Sequence, residues 1–198
     1  MSRQQQILEL AKTRGVIRAE DVEAVGISRN YLYRMHKEGL LVKSAAGIYT
    51  LPEAPVTKNS SLVQISKRMP QAIVCLVSAL SYHGITTQIP HEIWLVIPRG
   101  SWRPDVEYPP LNLTYVSEPA YSFGIQEYVI NGVTVKVYSP AKTVADCFKF
   151  RNKIGLDVAI EALREAWRSR KATMDELVEA AEINRVLKIM RPYLEATV

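Results

Sequence analysis

Histidine and cysteine are scarce in this chain, three and two among 198 residues. His36, His83 and His91 are far apart, and Cys75 and Cys147 lack the close pairing of zinc-binding thiols. Ser78 and Ser81 precede His83 but form no nucleophile elbow. No Gly-rich phosphate loop or dinucleotide fingerprint occurs. Asp105 and Glu107 are acidic and near a strand, as nuclease carboxylates are, yet no nearby Glu-x-Lys completes such a site. No catalytic residue, metal or cofactor is therefore assigned. Long apolar runs are absent too, so no segment approaches the roughly 20 residues that cross a bilayer. Ser2-Arg3-Gln4-Gln5-Gln6 leads into an amphipathic helix rather than a secretory leader. The expected compartment is the cytoplasm, with no membrane partner.

What is present is a modest excess of positive charge, +5 overall, compatible with a polyanionic partner. The first fifty residues say more. An apolar-periodic helix (Ile7, Leu8, Leu10, Ala11) ends at Arg14-Gly15. A short helix with Val22 and Val25 closes at Gly26. Ser28 can cap a third helix, Arg29 to Glu38, that stops at Gly39. Strands around Leu40–Val42 and Ile48–Leu51 follow, joined by Lys43-Ser44-Ala45-Ala46-Gly47. This order predicts a winged helix-turn-helix, in which a helix enters the major groove and a hairpin rests on the backbone.

On the third helix, Leu32 and Met35 share one face, while Asn30, Tyr33, Arg34 and Lys37 share the opposite one. Arg29 lies in the first turn. Arg pairs bidentately with guanine and Asn with adenine, while Tyr and Lys hold phosphates. Ser28, Arg29, Asn30, Tyr33, Arg34 and Lys37 are the expected DNA-binding residues, with Lys43 and Ser44 from the wing.

The predicted domains are a DNA-binding domain over 1–52, a linker over 53–59 and a second domain over 60–198. The linker reading rests on Pro52-Glu53-Ala54-Pro55-Val56-Thr57. Asn59 or Ser60 caps a helix that Pro70 ends. Ala72 to His83 reads as a buried helix, although Ile73–Val77 alone suits a strand. Ile93–Ile97 and Leu111–Val116 are strands, and Asn131-Gly132 joins a hairpin. Ser139-Pro140 opens a helix to about Phe150, Leu156–Arg170 is amphipathic, Thr173 and Glu176 form a capping box, and a last helix spans Asn184–Leu194. The fold class is α+β: the winged helix-turn-helix, then a mixed α/β domain with a small, mostly antiparallel sheet and a helical C-terminal part. Lys142, Lys149, Arg151 and Lys153 cluster along one helix and its exit, and Arg164, Arg168 and Lys171 form an i, i+4, i+7 row. Such rows suit an extended nucleic-acid footprint, an acidic partner or salt-bridged solvated faces.

The residues resemble a known family. Gly15-Val16-Ile17, Gly26-Ile27-Ser28-Arg29, Leu32, Gly39-Leu40 and Gly47-Ile48-Tyr49 look like the N-terminal winged helix of the AbiEi antitoxins of type IV, abortive-infection E toxin–antitoxin systems. Ser78 to Pro90, Glu92-Ile93-Trp94-Leu95, Ser139 to Phe148 and the helix from Gly155 to Arg168 extend the likeness over nearly the whole chain. The resemblance implies a transcriptional autorepressor that binds operator inverted repeats. It also implies a C-terminal domain that counters a cognate nucleotidyltransferase-type toxin, with or without a stable complex. The expected antitoxin surface comprises Lys142, Asp146, Lys149, Arg151, Arg164, Arg168 and Lys171. Two alternatives stay open: direct capture of the toxin, and a winged-helix regulator unrelated to any toxin.

Overall fold

The computed structural model describes residues 2–45, 47–52, 59–102, 105–106 and 109–197. Most of the expected linker, together with Ala46, Glu107 and Tyr108, lies outside them. The chain forms two compact units, one of residues 1–70 with 128–135, the other of 71–127 with 136–198. The first unit therefore extends past residue 52.

In the first unit, α1 (Arg3–Arg14) starts at a capping box in which Ser2 Oγ accepts from Gln5 N–H and Gln5 Oε1 accepts from Ser2 N–H. Gly15, at φ 68, closes it by donating to Ala11 O at 2.8 Å. Helices α2 (Ala19–Glu23) and α3 (Asn30–Lys37) follow, then β1 (Val42–Ala45) and β2 (Ile48–Thr50), an antiparallel pair. The joining segment is shorter than expected, because Lys43 to Ala45 belong to the strand. Ile17 and Tyr49 exchange backbone hydrogen bonds at 2.9 Å, tying the α1–α2 connection to β2. Ile7, Ala11, Ile17, Val22, Ile27, Leu32, Met35 and Leu41 form the core.

Helix α4 (Ser60–Arg68) joins this unit through Lys67, whose ammonium donates to Val16 O and to Asp21 Oδ2, both at 2.8 Å. Asp21 also accepts from Arg14 at 2.6 Å and from Arg18 N–H at 2.8 Å. Burial pushes the Asp21 carboxyl up, but the Lys67 and Arg18 hydrogen bonds and the Lys67 and Arg14 charges outweigh it and hold the pKa low.

In the second unit, β3 (Ile73–Val74) precedes α5 (Leu76–His83), so the stretch expected as one helix is a short strand and then a helix. Strands β4 (Ile93–Pro98), β5 (Leu111–Val116), β6 (Ile125–Ile130) and β7 (Val133–Tyr138) complete a sheet ordered β5-β4-β3-β7-β6. The sheet mixes both senses: β3–β4 pairs antiparallel, whereas β4–β5 and β3–β7 pair parallel. Two-residue β3 sits between β4 and β7, so its neighbours come from distant sequence. Asn131 and Gly132, both at positive φ (51 and 71), make the turn between β6 and β7.

Helices α6 (Pro140–Lys149), α7 (Arg151–Ile154), α8 (Leu156–Arg168), α9 (Met174–Ile183) and α10 (Leu187–Glu195) follow. Residues 141–148 of α6 are all buried, because α5, α8 and α9 pack around it. Lys142 and Asp146, expected on a surface, are therefore interior, at 1% and 3% exposure. Lys142 Nζ donates to Asp146 Oδ1 at 2.5 Å and lies 4.2 Å from the Tyr138 ring centre; Asn184 Nδ2 donates to the same oxygen at 2.9 Å. Burial pushes the Asp146 carboxyl up against the pull of Lys142 and Asn184. Both cysteines are buried free thiols, pushed up by burial. No helix among the described residues is long and apolar enough to cross a membrane.

Asp21 is stabilising above its unfolded pKa, and that contribution fades as pH falls through its lower folded value. Urea unfolding across pH should therefore show a shallower acid limb below about pH 4 for Asp21→Asn than for the unaltered chain. An unchanged limb would refute the role of Asp21. In the second unit, Asp146→Leu strands a buried ammonium and should cost about 3–5 kcal/mol in the same assay, whereas Lys142→Met with Asp146→Leu should recover most of that loss.

Candidate nucleic-acid interface

Helix α3 has only eight residues, so its stability comes from packing rather than from propensity. Leu32 and Met35 supply that packing at 1% and 0% exposure. Their burial turns Arg29, Asn30, Tyr33, Arg34 and Lys37 to solvent, with Tyr33 58% exposed. Arg29 already has helical backbone angles, and Ser28, expected to cap the helix, accepts from Asn30 N–H through its hydroxyl oxygen at a long 3.4 Å. At the other end, the His36 Nδ1–H donates to Leu41 O at 3.0 Å, fastening the helix to the chain entering β1. Lys43 is exposed on β1; the Ser44 side chain lies outside the description.

The exposed cations are only loosely paired. Arg29 Nε is 3.9 Å from Glu23, and Arg34 Nε is 3.7 Å from Glu38, both at the surface. Such pairs are worth little and exchange readily for a phosphate or a base edge. Tyr31 and Arg3, absent from the sequence-derived set, complete the arrangement. The Arg34 guanidinium lies 4.3 Å from the Tyr31 ring centre and that of Arg3 lies 5.9 Å from it. Lys37 Nζ stands 5.0 Å from the Tyr33 ring. Two aromatic rings thus face three cations. The i, i+3 spacing of Tyr31 and Arg34 was the available signal for that pair; nothing local pointed to Arg3.

Residues 5–52 match a family described as transcriptional regulators, the AbiEi antitoxins. The chain carries an AbiEi-type N-terminal segment. That family is one of regulators, not of enzymes, and its match covers the three helices and both strands of the hairpin. The crystal structure of the RV2827C protein from Mycobacterium tuberculosis shares the fold, with a TM-score of 0.58 and 13% identity over 98% of this chain and 80% of that one. No curated protein matches the chain.

Outside the AbiEi-type segment, the expected antitoxin residues do not form one free cationic face. Lys149 and Arg164 are exposed. Arg151 donates to Phe148 O at 2.9 Å, Arg168 pairs with Glu165 at 2.8 Å, and Lys171 donates to His83 O. Lys153 donates to Asn112 Oδ1 at 2.6 Å. Among the described residues no cluster of His, Cys, Asp or Glu is placed to hold a metal.

Hydrogen bonding by Arg3, then by Arg34, holds the Tyr31 phenol below the ordinary tyrosine range. In NMR of ring-labelled tyrosine, Arg3→Gln should move the Tyr31 titration upward. An unmoved Tyr31 would dissociate Arg3 from the platform.

Proposed function

We propose that this protein is a sequence-specific DNA-binding antitoxin that represses its own operon. The observation that carries the reading is the two-faced α3, apolar at Leu32 and Met35 and open at Arg29, Asn30, Tyr33, Arg34 and Lys37, within the AbiEi-type segment. In this reading the segment is a winged helix-turn-helix. Helix α3 reads the major groove of operator inverted repeats, Ser28 and Tyr33 touch phosphates, and the β1–β2 wing sets Lys43 and Ser44 on the backbone. Tyr31 keeps Arg34 oriented before DNA arrives, which lowers the ordering cost of binding. The second unit counters a nucleotidyltransferase-type toxin in the cytoplasm, through the outward cations Lys149, Arg151, Arg164, Arg168 and Lys171. Lys142 and Asp146 support that unit from inside.

Fluorescence anisotropy on the DNA directly upstream of the gene tests the reading. Arg34→Ala should weaken binding by about 1–3 kcal/mol at matched salt, and Arg164→Ala should leave it nearly unchanged. Equal affinity for scrambled DNA, or no loss on Arg34→Ala, would overturn it.

A further inference from the structure

A groove of about 430 Å³ in the second unit gathers Arg99, Lys149 and Arg185 on its walls. It lies past the carboxyl ends of the parallel strands β4 and β5. Arg99 directly follows β4, and its N–H donates to Val116 O, at the end of β5, at 3.0 Å. Crevices at the carboxyl ends of parallel strands are where open α/β sheets bind ligands. The opposite wall comes from the ends of α6 and α9, which bring Lys149 and Arg185 to the groove.

Two features set the groove apart from an ordinary charged surface. None of its three cations forms an ion pair with a carboxylate among the described residues. Its one carboxylate, Glu118, is occupied by Ser122, which donates through its hydroxyl at 2.5 Å and its N–H at 3.3 Å. Lys149, although its side chain reaches solvent, is partly desolvated at its base; this lowers its pKa, and the charges of Lys142 and Arg185 lower it further against the opposing pull of Asp146. Arg185 follows the C-cap of α9 at φ 58, where glycine is the usual residue. The chain bears that conformational cost with a guanidinium facing the groove.

We propose that this groove binds a nucleoside polyphosphate, with its phosphates on Arg99, Lys149 and Arg185 and its base against Tyr115 and Phe150. Two guanidinium forks and an ammonium match a run of phosphate oxygens. The Tyr115 ring, 40% exposed, and the half-buried Phe150 provide the stacking surface that a bare anion does not need. The volume falls in the range of ordinary small-ligand sites, about 300–1,000 Å³.

Isothermal titration of the full chain with ATP, tripolyphosphate and adenosine tests the proposal. The key variant is Arg185→Gly, because glycine suits the backbone there while the guanidinium goes with the rest of the side chain. It should match or exceed the unaltered chain in melting temperature while weakening ATP binding at least about tenfold, the loss expected for a charge-assisted hydrogen bond. Arg34→Gln should leave ATP binding intact. In the unaltered chain, ATP should protect Lys149 from acetylation, read by mass spectrometry, and tripolyphosphate should bind more weakly than ATP. No saturable ATP binding would overturn the proposal, as would loss on Arg34→Gln in place of Arg185→Gly. Equal affinity for tripolyphosphate and ATP would overturn the nucleotide assignment.

Discussion

The apolar contact beneath α3 is the constraint on which the rest of the first unit depends. An isolated helix of eight residues does not persist in water. Once Leu32 and Met35 are buried with Ile7, Ala11, Val22 and Leu41, the helix persists and its rotation about its own axis is set. At about 100° per residue, that one azimuth determines which side chains meet solvent. Asn30, Tyr33, Arg34 and Lys37 are presented together because Leu32 and Met35 have no freedom to turn. Tyr31, at the boundary between the faces, then directs Arg34 and Arg3.

The two units treat charge in opposite ways. Around α3 the ion pairs are long and wet, at 3.7 and 3.9 Å, so the cations remain available to a polyanion. Inside the second unit Lys142 and Asp146 are dry and 2.5 Å apart, with Asn184 and the Tyr138 ring supplying further stabilisation. Such a pair contributes little net stability compared with apolar residues of equal volume, but removal of either partner is severe. Through Asn184 and the Tyr138 ring it ties α6 to the C-cap of α9 and to the end of β7. The cations of α3 stay open to solvent, whereas this pair is enclosed in the packing of its own unit.

Much of the local structure was legible in the residues. The Ser139-Pro140 start of α6, the Thr173–Glu176 box of α9 and the Asn131-Gly132 turn all stand where their signals placed them. The two faces of α3 were equally plain from spacing. Periodicity misjudged residues 73–75, because a two-residue strand flanked by buried neighbours carries no period of its own. It also could not reveal parallel pairing: Val74 lies beside Val137, a partner supplied by chain topology alone.

By itself the sequence determined the features that depend on neighbours within a turn or two: caps, tight turns, the amphipathic face of α3 and the AbiEi-type segment. Tertiary structure alone decided the rest. Lys142 and Asp146 read as an ordinary surface pair until α8 and α9 close over them, because burial is a property of the whole packing. Arg99, Lys149 and Arg185 are remote in sequence and meet only where parallel strands and two helix ends converge. Charge spacing along a chain is local, whereas desolvation and convergence are set by whichever distant elements happen to lie beside it.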